Sequence, residues 1–148
     1  MRGSIICIGN RFIEEDAAGL RVFDRIQALH PLPVGIELVE GGLAGLNLLP
    51  LLEHGGRVVF VDAIRGFTQA GKIVLLTHRE ILQAPGHFCF GHDAGLPYLL
   101  AVLPKVCEGE LPEEMVLVGL EGSCVDETIE KAAEMSVSIA VHGLRGLG

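Results

Sequence analysis

Five apolar runs of strand length punctuate the chain, and between them apolar residues recur at spacings that suit helices. Residues 4–8 (Ser-Ile-Ile-Cys-Ile) form a short β-rich run that enters a Gly9-Asn10 turn and then the acidic triplet Glu14-Glu15-Asp16. Across residues 17–29, Leu20, Phe23, Ile26 and Leu29 repeat every third position, which predicts a helix stopped by Pro31 and Pro33. Residues 35–40 alternate apolar and polar before Gly41-Gly42, so a second strand is expected there. The apolar segment 44–52 predicts a second, short helix despite Pro50.

Residues 57–62 (Arg-Val-Val-Phe-Val-Asp) carry the strongest strand signal, an unbroken β-branched and aromatic run suited to the middle of a sheet. Residues 72–77 follow after a link too short for a helical crossover and are expected to form an antiparallel edge strand. A helix is predicted over 96–106, starting near Gly91-His92-Asp93, with its regular turns restricted by Pro97 and Pro104. Residues 115–120 give the last strand. Asp126 is placed to cap a final helix reaching His142, with Glu127 and Glu130 in its first turns and Gly143 as its stop. The alternation predicts a three-layer α/β/α fold around a mixed, mostly parallel sheet of about five strands, in one domain spanning residues 1–148.

Composition narrows the function. With 49% apolar residues, 20 glycines and only 20% charged residues, the chain suits a buried parallel sheet. Its net charge of −8, uninterrupted by any Lys/Arg cluster, argues against nucleic acid as a partner. The longest apolar stretches are broken by Gly, Asn or Pro and fall short of a membrane span, so no membrane insertion is expected. The N-terminus reads as a first strand rather than a signal peptide, which suggests a cytoplasmic protein. Cys7, Cys89, Cys107 and Cys124 contain no C-x-x-C pair and read mainly as buried thiols.

In open α/β sheets, ligands gather at the carboxyl ends of the central strands. Three potential metal ligands fall at such positions: Asp16 in the loop after the first strand, Asp62 at the end of the third, and His92 before a later helix. Two carboxylates and an imidazole form a set suited to nickel, zinc or manganese. Each residue also has an ordinary reading, as a helix cap, a turn former and a solvated loop residue respectively. His87 is a rival ligand but sits between apolar neighbours, while His30, His54, His78 and His142 fall at element ends, where a surface role is the default. The Ile8-Gly9-Asn10 turn lacks the three-glycine phosphate spacing, no G-x-S-x-G elbow is present, and Cys7 lies within a strand. No covalent nucleophile or general base is marked by spacing.

Several of these segments, taken in order, resemble the hydrogenase maturation protease family. Cys7-Ile-Gly-Asn10 with Glu15-Asp16-Ala-Ala-Gly19 is similar to the family's opening motif, and Glu40-Gly41-Gly42-Leu-Ala-Gly45 to its D-G-G-x-A-x segment. Val61-Asp62-Ala63 matches its strand-ending V-D-A, and Gly91-His92-Asp-Ala-Gly-Leu96 its H-x-x-x-L. The resemblance implies that Asp16, Asp62 and His92 occupy nickel-contacting positions. It further implies that they recognise nickel already installed in a hydrogenase large-subunit precursor, whose C-terminal extension is then removed, so that the free enzyme carries no metal of its own. The glycines Gly41, Gly42 and Gly45 are expected to allow close approach of substrate, the ordinary alternative being a tight turn. Two positions depart from the family pattern: Glu40 replaces an aspartate, and the loop 121–125 is shorter than usual. The second departure leaves open a non-catalytic precursor-binding protein that keeps the fold. A small-ligand or nucleotide-binding α/β domain is a third reading, resting on fold analogy alone.

Overall fold

The computed structural model describes residues 2–29, 31–43, 46–84 and 95–147. Five strands, β1 (Gly3–Ile8), β2 (Ile36–Gly42), β3 (Arg57–Ile64), β4 (Ile73–Thr77) and β5 (Glu114–Glu121), form one sheet in the order β2-β1-β3-β5-β4. β1 pairs parallel with β2 and β3, and β3 parallel with β5; β4 closes the edge antiparallel to β5. The mixed sheet, the central place of β3 and the antiparallel edge strand all agree with the sequence expectation.

Both faces of the sheet are covered, which is why β3 is apolar at nearly every position. Val59, Val61 and Ala63 point toward α1 (Ala18–Ala28) and α4 (Asp126–His142), where Val22, Ile26, Ala132 and Ala133 complete one core. Val58, Phe60 and Ile64 point the other way, toward α2 (His78–Gln83), α3 (Gly95–Val106) and a 3-10 segment, Leu46–Leu52. In α3, Leu96, Leu99, Leu100 and Leu103 fall at one-face helical spacing and are all buried. Each such side chain stabilises the fold by roughly 1.5–3 kcal/mol relative to exposure.

Three local expectations differ from the structure. The helix expected over 44–52 is a 3-10 segment from Leu46 to Leu52, Ala44 and Gly45 lying outside the described residues. Pro50 has no amide to give an α-helical ladder, and the tighter winding still delivers Leu48 and Leu52 to the core. α2 was not expected at all. It is announced by a Thr77-x-x-Glu80 capping box in which the Glu80 amide donates to Thr77 Oγ1 at 3.2 Å and the Thr77 amide to Glu80 Oε1 at 3.0 Å. Finally, Asp126 does not cap α4: Val125 is the N-cap, and the Asp126 carboxylate accepts from Arg21 Nη2 at 2.6 Å instead. Gly143 does end α4, at φ 76°, with its amide donating to Ile139 O at 2.7 Å. Among the described residues no helix is long and apolar enough to cross a membrane.

Candidate functional site

The carboxyl end of β1 leads directly into the site. Gly9 has φ 152°, and a Cβ there would collide with the Asp16 carbonyl oxygen. The loop that follows folds back on itself: the Asn10 amide donates to Asp16 O at 3.1 Å and the Asp16 amide to Ile13 O at 2.9 Å. Asp16 therefore ends a short 3-10 turn, Glu14–Asp16, immediately before α1. Gly19, in the first turn of α1, fixes how deeply that turn sits. Its missing side chain lets the helix lie against the carbonyl oxygens of Ile8 and Val61, at the carboxyl ends of β1 and β3.

This close packing brings Asp16 beside Asp62 of β3. Asp16 is buried, and Asp62 has 0% of its surface exposed. By strand alternation Asp62 shares its sheet face with Phe60 and Ile64, the face on which α3 packs. Neither Asp62 carboxylate oxygen accepts a well-formed hydrogen bond among the described residues. Burial, reinforced by the Asp16 charge and opposed by the Ala63 backbone amide, holds the Asp62 carboxyl well above the usual carboxylate range. A cation bound between these two groups would reverse that preference, because it stabilises the ionised form that burial disfavours.

His92, the third expected ligand, lies outside the described residues. It precedes the first residue of α3, Gly95, by three positions. Among the described residues no group of three His, Cys, Asp or Glu side chains forms a metal cage. The described histidines are all at the wrong end: His54 precedes β3, His78 follows the antiparallel β4, and His142 ends α4, which returns to the amino ends of β3 and β5.

The glycines expected in a loop divide: Gly41 and Gly42 are the last two residues of β2. Gly41 is buried, and a Cβ there would sit 2.8 Å from Ile6 Cγ2 and 3.3 Å from Leu48 Cδ2, so its absence makes room for packing. Gly42 has φ 62° with open space around its would-be Cβ, and its carbonyl accepts from the Gly9 amide at 2.9 Å. Gly45 lies outside the described residues. Cys7 is buried in β1, and burial, then the charges of Glu40, Asp24 and Asp62, raise its thiol pKa far above the ordinary value. It stays a thiol, unsuited to nucleophilic attack.

Sequence reading passed over one carboxylate. Glu121 ends β5 on the same face as Asp62 and is buried. Its carboxylate accepts the backbone amides of Gly66 at 3.0 Å, Phe67 at 2.9 Å and Thr68 at 3.0 Å. The short loop after Leu120 thus begins with a clamp on the β3–β4 connection. The only signal in the sequence was a carboxylate ending an apolar run, a pattern that turn residues also give.

Comparison with known proteins places this architecture. The hydrogenase 2 maturation protease of Escherichia coli K12 is 26% identical over 155 residues, covering 100% of this chain and 93% of that protein. A hydrogenase expression/formation protein, HupD, of Rhodobacter capsulatus is 27% identical, covering 97% of this chain and 71% of its own length. Among solved structures, the hydrogenase maturating endopeptidase HybD from E. coli superposes with a TM-score of 0.74 at 24% identity, covering 100% of this chain and 94% of the other, a likeness of fold. A hydrogenase maturation protease from Thermococcus kodakarensis gives a TM-score of 0.65 at 25% identity, covering 95% of this chain and 99% of that one. The hydrogenase maturation protease family matches residues 20–143, a span that includes Asp62 and begins just after Asp16. The chain belongs to the hydrogenase maturation protease family and is a peptidase.

Proposed function

We propose that this protein is an endopeptidase that removes the C-terminal extension of a nickel-hydrogenase large-subunit precursor once nickel has been inserted. Asp16, Asp62 and His92 contact the precursor's nickel. The observation that carries this reading is the fully buried Asp62 carboxyl beside Asp16 at the carboxyl ends of the central strands. An isolated carboxylate is costly to bury, and a divalent cation brought by the substrate offsets that cost. Nickel is therefore part of the substrate, and three protein ligands would leave coordination positions for the precursor's own.

The role assigned to the two carboxylates is orientation: they hold the nickel-bearing core so that the C-terminal segment lies along the rim of the sheet. Any polarisation of the scissile carbonyl or of water by the metal would add to this. The enzyme acts on the precursor in the cytoplasm and without a resident metal.

The direct test is incubation of the purified protein with a large-subunit precursor, with and without nickel, followed by the precursor's C-terminal mass. Nickel-dependent loss of a peptide is expected. An unchanged mass with the nickel-loaded precursor would overturn the reading in favour of a binding protein.

A further inference from the structure

The loop between Asn10 and Asp16 presents an apolar knob beside the site. Phe12 is 97% exposed, and it is the one exposed phenylalanine among the described residues. Single exposed apolar side chains are ordinary on protein surfaces. This one differs because its loop is held down. The Phe12 amide donates to Asn10 Oδ1 at 2.9 Å, the Ile13 amide to Asn10 O at 3.2 Å, and the loop closes through Asn10 and Asp16. Arg11, next in sequence, makes a two-pronged contact with Asp24 at 2.7 and 3.0 Å and reaches Glu40 at 3.2 Å, tying the loop to α1 and β2.

Exposed Ile13 adjoins Phe12 in sequence, exposed Leu43 directly follows the neighbouring strand β2, and exposed Leu46 opens the 3-10 segment Leu46–Leu52. Between the Phe12 loop and α1 runs an open groove of about 360 Å³, lined by Arg11, Phe12, Glu14, Ala17, Leu20 and Arg21. An aromatic side chain on a backbone held in place beside a groove costs less conformational freedom on binding than one on a loose loop, and it has the composition of an interface anchor.

We propose that Phe12 is the anchor by which the hydrogenase large-subunit precursor docks, inserting into an apolar pocket of the precursor edged by Lys or Arg. This rests on the precursor-processing reading above and names the surface that reading requires. Charge selects the occupant. Exposed Glu14 and Glu15 follow the knob, Glu15 only loosely paired with Arg65 at 3.9 Å, while the charge of Arg11 on its other side is engaged by Asp24 and Glu40, and the chain carries a net charge of −8. A two-fold contact through this rim would set those glutamates against their own copies, whereas a basic-edged pocket complements them. Because the loop runs straight from Phe12 into Asp16, docking there also sets the register of the precursor on the carboxylates.

The test measures the affinity of nickel-loaded precursor for wild type, Phe12→Ala and Phe12→Leu, together with thermal melting of each and sedimentation of the protein alone. Phe12→Ala is expected to weaken binding about tenfold or more, with Phe12→Leu intermediate and melting unchanged. Equal affinity for wild type and Phe12→Ala would overturn the docking assignment while leaving the peptidase reading intact. So would self-association of the wild type that Phe12→Ala abolishes without changing precursor affinity. Phe12-dependent binding without any cleavage would uphold docking and defeat the precursor-processing reading, and absence of precursor binding by the wild type would overturn both.

Discussion

Gly119 of β5 stands opposite Asp62 of β3 in the parallel register, and the space of its missing side chain is occupied by Ile64. A Cβ at position 119 would lie 2.6 Å from Ile64 Cδ1. Ile64 is fully buried and cannot swing into solvent. Gly119→Ala should therefore destabilise the protein by about 1–3 kcal/mol, the usual range for overpacking. It should also reduce processing by disturbing the strand end that carries Asp62. Unchanged melting would show that the β3–β5 packing is looser than the contact implies.

Asp62 itself predicts a pH signature. Its folded pKa lies above its unfolded value because of burial and the Asp16 charge. Folding therefore takes up a proton in the interval between the two, and stability falls as pH rises through it. Asp62→Asn removes that dependence. In the absence of precursor, the variant should melt above the wild type at neutral pH, with the difference closing as pH falls from the raised value down to the ordinary carboxylate range, and it should not process a nickel-loaded precursor. Parallel melting curves across pH would contradict the buried, unfavourably ionised state.

The Glu121 clamp is testable apart from catalysis. In Glu121→Gln the side-chain amide can present an oxygen to Phe67 and Thr68, but its nitrogen then meets the Gly66 amide, donor against donor. A loss of about 1–3 kcal/mol is expected. Amide hydrogen exchange should quicken at Gly66, Phe67 and Thr68 before it does in β1. Uniform protection of the three amides would mean that Glu121 is dispensable to the loop.

Cys7 should be chemically silent. It is fully buried, and its neighbours push its thiol pKa upward. An alkylating reagent at mildly alkaline pH should label it only in denaturant. Cys7→Ala should keep precursor processing at a stability loss of about 1 kcal/mol or more for the cavity. Abolished processing in a folded Cys7→Ala protein would restore a thiol to the mechanism.

Much of the fold follows from local sequence because buried parallel strands and one-sided helices write strong periodicities. The run 57–62 reads as a central strand and forms the core of β3; the short link before 72–77 reads as an antiparallel edge and β4 takes that place. Where reading failed, a competing interaction decided. Pro50 turned an expected helix into a 3-10 segment, Thr77 and Glu80 capped a helix too short to show a period, and Arg21 drew Asp126 away from a capping role.

The sequence by itself determined the layer architecture and placed Asp16 and Asp62 at carboxyl ends of strands. Those features depend on period and order along the chain. The tertiary structure alone decided that the two carboxyls lie together in a dry environment, since this depends on Gly19 lying against the Ile8 and Val61 carbonyls and Gly9 against that of Asp16. It also decided that Glu121 clamps a loop more than fifty residues earlier in the chain. Such contacts are set by which backbones can approach across the sheet, and no run of neighbouring residues encodes that distance.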